Sequence, residues 1–413
     1  MKAKDIFTPG RFPTHTYVES HLAEKKKNLR GALEAGGLVI SVSGPSKSGK
    51  TVFVENEIGK DNLLHVTGAG IDSTQKLWGR IFDLIGTPLS EVSTTAKSFS
   101  SKIEGSAGGE AGFLVKGQGK VGASGTWSNS QQQAETTVHD ALQLIIKEIK
   151  DSGYYILIDD FHYVSESTKT PLAEEIKECI RQGLTILVAS VPYRTEDVIR
   201  GNKDFRGRML KLDFDYWDSK FLYEIGSIGF GLLNLEVEDK IIEKLVSEAS
   251  GSPQLMQALC LNFCFECEVY EGGEPRKISY TTPLLDKVCQ RTALMNDYSS
   301  AVGIMREGPK TRGTVRHTHR LAAGGEGDVY SVVLKALSSN PPKLTFRYSD
   351  LVNRINSICL DDGPVGSSVT GACEHMSRLA NEAENSSITE WDSEHDVFDI
   401  RDPYLLFYLR WGE

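Results

Sequence analysis

The texture of apolar and polar positions changes several times along the chain, and each change predicts a different kind of element. Short aliphatic and β-branched runs at 38–42, 63–66, 154–158, 184–189 and 210–214 lack polar alternation, as strands covered on both faces do. Stretches with helical spacing, at 136–150 and 171–182, lie between them. This alternation predicts a parallel α/β domain over residues 1–215. It is preceded by a loop punctuated by Pro9 and Pro13 and by a polar helix at 16–35 that stops at Gly36-Gly37. Within it, residues 90–133 lose the pattern and turn to Ser, Gly, Thr and Gln, which predicts a surface insertion.

From 217 to 288 the spacing becomes helical, with Leu222, Ile225, Ile228 and Leu232 on one face and Ile241, Leu245 and Val246 on the next. A helical lid over 216–300 is therefore expected. Residues 306–320 carry Arg306, Lys310, Arg312, Arg316 and Arg320 against Glu307, and read as a basic linker within 301–327. The last segment, 328–413, predicts helices at 329–337, 348–358 and 367–381 with a turn at Asn340-Pro341-Pro342, then strands at 387–391 and 397–400. Three helices followed by a two-stranded wing is a winged-helix order.

A chain of 413 residues exceeds one ordinary core, in keeping with these divisions. No apolar run approaches the roughly 20 residues of a membrane span, so no membrane partner is expected. The start lacks the apolar core of a secretory signal, and seven scattered cysteines form no small-domain disulfide pattern, which points to the cytoplasm. The net charge of −10 argues against wholesale coating of nucleic acid, though local basic patches can still hold phosphates.

The chemistry begins at Gly44-Pro45-Ser46-Lys47-Ser48-Gly49-Lys50-Thr51, which fits G-x-x-x-x-G-K-[ST] and sits between an expected strand and an expected helix continuing through Val52. Such a loop curls successive N–H groups toward a phosphate at a helix N-terminus, with Lys50 reaching the β- and γ-phosphates of ATP and the Thr51 hydroxyl ligating Mg²⁺. The apolar run 154–158 ends in Asp159-Asp160, a Walker B pattern. Asp159 is the expected second magnesium ligand and Asp160 the general base that polarises the attacking water. Cys260, Cys264 and Cys267 recur at i, i+4 and i+7, a spacing shared by a zinc-binding face and a core stripe; the interleaved Leu259, Leu261, Phe263 and Phe265 favour the core.

The phosphate loop, the Asp-Asp strand end and Gly251-Ser252-Pro253 in the lid resemble the STAND and AAA+ ATPases, above all their origin-recognition-like and transposition-regulator branches. The run from Phe398 to Trp411, with Asp402-Pro403 followed by aromatics, resembles the end of the winged-helix domain in archaeal-type STAND ATPases. The resemblance implies ATP or ADP held between core and lid, with Pro253 as a lid contact and Arg194 as a γ-phosphate sensor. It implies an arginine finger offered to a neighbouring subunit by Arg208 or Arg206. Asp-Asp, where many AAA+ proteins have Asp-Glu, leans toward STAND and slow turnover. The expected function is an ATP-dependent switch that self-assembles, on DNA or with an effector protein, as in transposition regulators and anti-phage defence ATPases. DNA would be met by the basic linker or by Lys97, Lys102, Lys116 and Lys120 of the insertion. The helix at 367–381 is a poor reader of bases, with Glu374, Glu382 and Glu384 against Arg378, His375 and Asn381. The alternative is a signalling module that docks a protein partner, with no DNA binding and little turnover.

Overall fold

The computed structural model describes residues 1–85, 142–191, 203–310, 313 and 316–412; the insertion at 90–133 with its lysines, Arg194 and Arg312 lie outside the described residues. Two compact units form: Lys25–Ser43 with Phe53–Asp213, and Met1–Glu24 with Gly44–Val52 and Phe214–Glu413.

In the first unit, β1 (Val39–Ser43), β2 (Leu63–Thr67), β3 (Tyr155–Asp159), β4 (Ile186–Ser190) and β5 (Met209–Asp213) make one parallel sheet in the order β2-β3-β4-β1-β5. Every residue of β1 and β4 is buried, so these strands are covered on both faces; the edge strands β2 and β5 instead mix buried and exposed positions. That difference is why the central strands read as unbroken apolar runs. The core packs Trp78, Ile81 and Phe82 of a helix at Thr74–Ile85, Ile145 and Ile149 of a helical run at 142–149, and Leu172 and Ile176 of a helix at Glu166–Arg181 against Ile156, Ile158, Ile186 and Val188. β4 separates the strand that leads into the phosphate loop from the strand that ends in Asp159. Both strands finish at the carboxyl edge of the sheet, the edge where open α/β sheets place their ligands.

The second unit has two cores. In the first, helices at Ser219–Leu232, Asp239–Ala249, Pro253–Glu266 and Thr282–Leu294 enclose Leu222, Ile225, Leu245, Leu259 and Phe263. Ala3, Ile6 and Phe7 are fully buried in the same core. This corrects the expected 1–215 boundary: residues 1–24 belong with the lid. The polar helix expected from residue 16 begins only at Ala23, because Thr16 is buried, donating through Oγ1 to Ile6 O at 3.0 Å and accepting from Gln257 Nε2 at 2.7 Å. The lid face is also corrected. Ile228 and Leu232 are exposed, while Gly226, Gly229 and Phe230 turn inward, since a Cβ on Gly229 would stand 2.2 Å from Phe7 Cε1. Absent side chains, not apolar ones, admit the N-terminal segment there. Cys260, Cys264, Cys267 and Cys289 all lie in this core, where burial pushes each thiol up, Cys267 to about 11.

The other core is the C-terminal domain. Helices α1 (Val329–Ser338), α2 (Tyr348–Ile358) and α3 (Ser367–Glu384) pack with an antiparallel sheet ordered β10-β12-β11, in which β10 is Thr345–Arg347, β11 is Thr389–Asp392 and β12 is Val397–Ile400; α4 (Pro403–Trp411) closes it. The lid and a two-stranded ribbon supply the intervening strands β6 (Leu235–Val237), β7 (Arg276–Ile278), β8 (His319–Arg320) and β9 (Glu326–Gly327). The order is helix, strand, helix, helix, strand, strand, which includes the three helices and two strands expected and adds a third strand, β10, between the first two helices.

The basic linker is corrected by the same core. Residues Ser299–Glu307 are a helix whose Ala301, Val302 and Met305 are buried in it, and Arg320 lies in β8. Arg316 donates to Asp328 at 2.9 Å and to the carbonyls of Glu307 and Pro309, and Arg320 forms a forked pair with Asp361. Among the described residues no helix is long and apolar enough to cross a membrane.

Candidate nucleotide site

The loop after β1 is built by conformation. Gly49 has φ +91°, where a side chain would be strained, and a Cβ on Gly44 would fall 2.6 Å from Phe214 Cβ, where it would force a shift. Lys47 has φ +61°, which costs a non-glycine residue about 1–2 kcal/mol. The helix that follows, Lys50–Ile58, opens at the loop's end and includes Thr51 and Val52 in its first turn. Lys50 is largely buried and its ammonium donates to Gly44 O at 2.9 Å and Pro45 O at 2.7 Å, within the loop. Ser48 Oγ is buried with no hydrogen-bond partner among the described residues. A buried hydroxyl left unpaired costs about 1–3 kcal/mol, and here it lies just before the N-terminus of the helix Lys50–Ile58, an arrangement that fits a phosphate.

The lid meets the loop through groups with clear local causes. Ser250 ends the helix Asp239–Ala249 in the left-handed region, and Gly251 follows at φ +82° with its α-carbon against Tyr216. Ser252 then caps the next helix by accepting from Leu255 N, and Pro253 takes the first helical position, where its missing N–H costs nothing. Ser252 Oγ also donates to Lys47 O at 3.4 Å, and a Cβ on Gly49 would lie 3.9 Å from Pro253 Cγ. Pro253 therefore stands beside the loop. Trp217, which the sequence reading passed over, donates from Nε1 to Ser48 O at 2.9 Å. Its only sequence signal was an indole in an acidic turn just beyond β5.

On the sheet, Asp159 ends β3 largely buried, accepting from Asp160 N at 2.8 Å through Oδ1, while His65 Nε2 lies 3.3 Å from Oδ2. The bond to Asp159 raises the pKa of His65. Asp160 has φ +51°, and its carbonyl comes 2.6 Å from where a Cβ on Gly68 would be, so the turn that presents the second carboxylate depends on a glycine across from it. Arg208 lies at the other end of the sheet: its carbonyl accepts from Val39 N where β1 begins, five residues before the loop. At about 3.3 Å per residue it is separated by roughly 16 Å from the carboxyl edge, so it does not join the carboxylates of its own sheet. Its side chain lines a cavity of about 290 Å³ with Lys177, Arg181, Asp204 and Phe205. Arg206 precedes it in the same turn.

No protein-family model matches the chain, and no curated protein matches it in sequence. Solved structures do. The Walker-type ATPase PABY2304 of Pyrococcus abyssi is similar over 94% of this chain and 95% of its own, with 14% identity and a TM-score of 0.52. The ORC2 protein of Aeropyrum pernix, solved in ADPNP and ADP complexes, is similar over 98% of this chain and 96% of its own, with 12% identity and a TM-score of 0.50. Sheet order, phosphate loop and the likeness along nearly the whole chain together give this protein the fold of the AAA+ type of P-loop NTPases.

Proposed function

We propose that the chain is a molecular switch that binds ATP or ADP with magnesium, hydrolyses ATP slowly, and changes its assembly with the nucleotide. The observation that carries this reading is the cradle at Gly44–Val52, where a helix N-terminus, the Lys50 ammonium and the unpaired buried Ser48 hydroxyl converge. Thr51 and Asp159 supply the oxygen donors that a magnesium ion accepts, and the ion would neutralise charge on the phosphates. Asp160 serves as general base, Arg194 as γ-phosphate sensor, and Arg208, with Arg206 as its neighbour, as a cation offered to a second copy. Pro253 and Trp217 carry loop movements into the lid.

Assembly on DNA and docking of an effector protein remain the two outputs of such a switch. The ion pairs of Arg316 and Arg320 with Asp328 and Asp361 favour the effector, because two of the five cations of that basic stretch are already neutralised within their own domain. The binding claim is tested by titrating a fluorescent ATP analogue with magnesium into wild type and Lys50→Ala. Losing a charge-assisted hydrogen bond of about 1.5–3 kcal/mol should weaken binding by about tenfold to somewhat over a hundredfold. Equal affinities would remove the phosphate role of the loop.

A further inference from the structure

We propose that Lys47 is a second phosphate ligand of the loop and that Asp402 in the C-terminal domain competes for it, so that this domain senses the nucleotide directly. The inference rests on the nucleotide-binding reading above and names its regulation. Lys47 occupies a position that suits glycine, at φ +61°, so the loop gains nothing in conformation from a lysine there. Its side chain is spent elsewhere. The ammonium donates to both oxygens of Asp402, at 2.9 and 2.7 Å, and lies 4.2 Å from the centroid of the Tyr404 ring. Tyr298 donates its hydroxyl to Asp402 Oδ2 at 2.8 Å. The pair is well shielded, with side chains 25% and 12% exposed.

Asp402 is also joined to the rest of its domain. Through Oδ1 it accepts from Tyr404 N and so caps α4, whose Arg410 reaches Glu248 of the lid; it directly follows Arg401, after β12. A triphosphate in the loop would place several anionic oxygens beside Ser48 and Lys50, one and three residues from Lys47. These offer Lys47 a more highly charged acceptor than one carboxylate. Transfer of Lys47 to the phosphates leaves Asp402 with only the Tyr298 hydroxyl and the Tyr404 N–H, without a cation, and loosens the start of α4. By linkage, the domain that holds Lys47 must weaken ATP binding by the same factor with which ATP weakens its hold.

The experiment measures affinity for ATPγS with magnesium in wild type, Asp402→Asn, Lys47→Gly and the double variant, with amide exchange of residues 403–411 followed in the same samples. Asn keeps the cap while dropping the charge, and Gly relieves the left-handed residue, so Lys47→Gly gives the answer if Asp402→Asn fails to fold. The expected result is about tenfold tighter binding for Asp402→Asn, with no such gain when Lys47 is already Gly. Exchange at 403–411 should rise at least about tenfold with ATPγS in wild type and be fast with or without it in Lys47→Gly. A wild type that binds ATPγS with unchanged exchange, or an Asp402→Asn effect of equal size in both backgrounds, overturns the competition alone. A wild type that binds no nucleotide overturns the proposed function and the competition with it.

Discussion

Asp160→Asn is expected to lower steady phosphate release by about 10²–10⁴ while leaving ATP affinity within about threefold. The substitution suits the backbone: Asp160 sits at φ +51°, a region that Asn tolerates better than other residues bearing a Cβ. The bonds that hold the turn survive it, since Asp160 N still donates to Asp159 Oδ1 at 2.8 Å and Asp160 O still accepts from Tyr163 N at 2.9 Å. What is lost is a carboxylate able to take a proton from water. Release of phosphate at the wild-type rate would remove the base role from Asp160, and loss of ATP binding would place the residue among the ligands instead. Undetectable release from wild type would leave a nucleotide-binding scaffold without turnover.

The largest expected effect on stability is at Glu248. Its carboxylate is fully buried and accepts from Arg410 Nε and Nη2, both at 2.9 Å, from Lys244 at 2.8 Å and from Trp411 Nε1 at 2.8 Å. Arg410 donates in turn to Ser338 O and Asn340 Oδ1, so one ion pair ties a lid helix to α4 and to the end of α1. Glu248→Ala strands a buried guanidinium and should cost about 3–5 kcal/mol, read as a lowered urea midpoint by tryptophan fluorescence; Glu248→Gln should lose less. Burial pushes the Glu248 carboxyl up, but the bonds and charge of Arg410, with Lys244 and Trp411, outweigh it and hold the pKa below the ordinary 4.5. A carboxylate depressed on folding contributes fully above its unfolded value. Its contribution is lost as pH falls from 4.5 through the lower folded value, and Glu248→Gln should flatten that part of the acid-unfolding curve.

The parts of the fold that announced themselves were those where one local cause dominates. β1, β3 and β4 are apolar because they are covered, and the loop requires its glycines, so both could be read from residue types alone. β10 was missed because a three-residue strand between helices carries almost no periodicity; only its partner β12 makes Thr345–Arg347 a strand. The inward face of the helix Ser219–Leu232 was misread because Gly229 admits Phe7 and Ile6 across more than 200 positions of sequence, while Gly226 admits Ile242 and Met256. Lys47 and Asp402, 355 residues apart, could not be paired by any local rule. Arg306, Arg316 and Arg320 looked like a free basic stretch because sequence order hides Asp328 and Asp361, the carboxylates that face two of them.

The measurement that tests the switch most directly is the mass of the purified protein in solution with ADP and with a non-hydrolysable ATP analogue, each with and without duplex DNA, beside Lys50→Ala. The account predicts a larger species with the ATP analogue that Lys50→Ala does not form and that Arg208→Ala weakens. A mass that is the same with every nucleotide, with and without DNA, would contradict it.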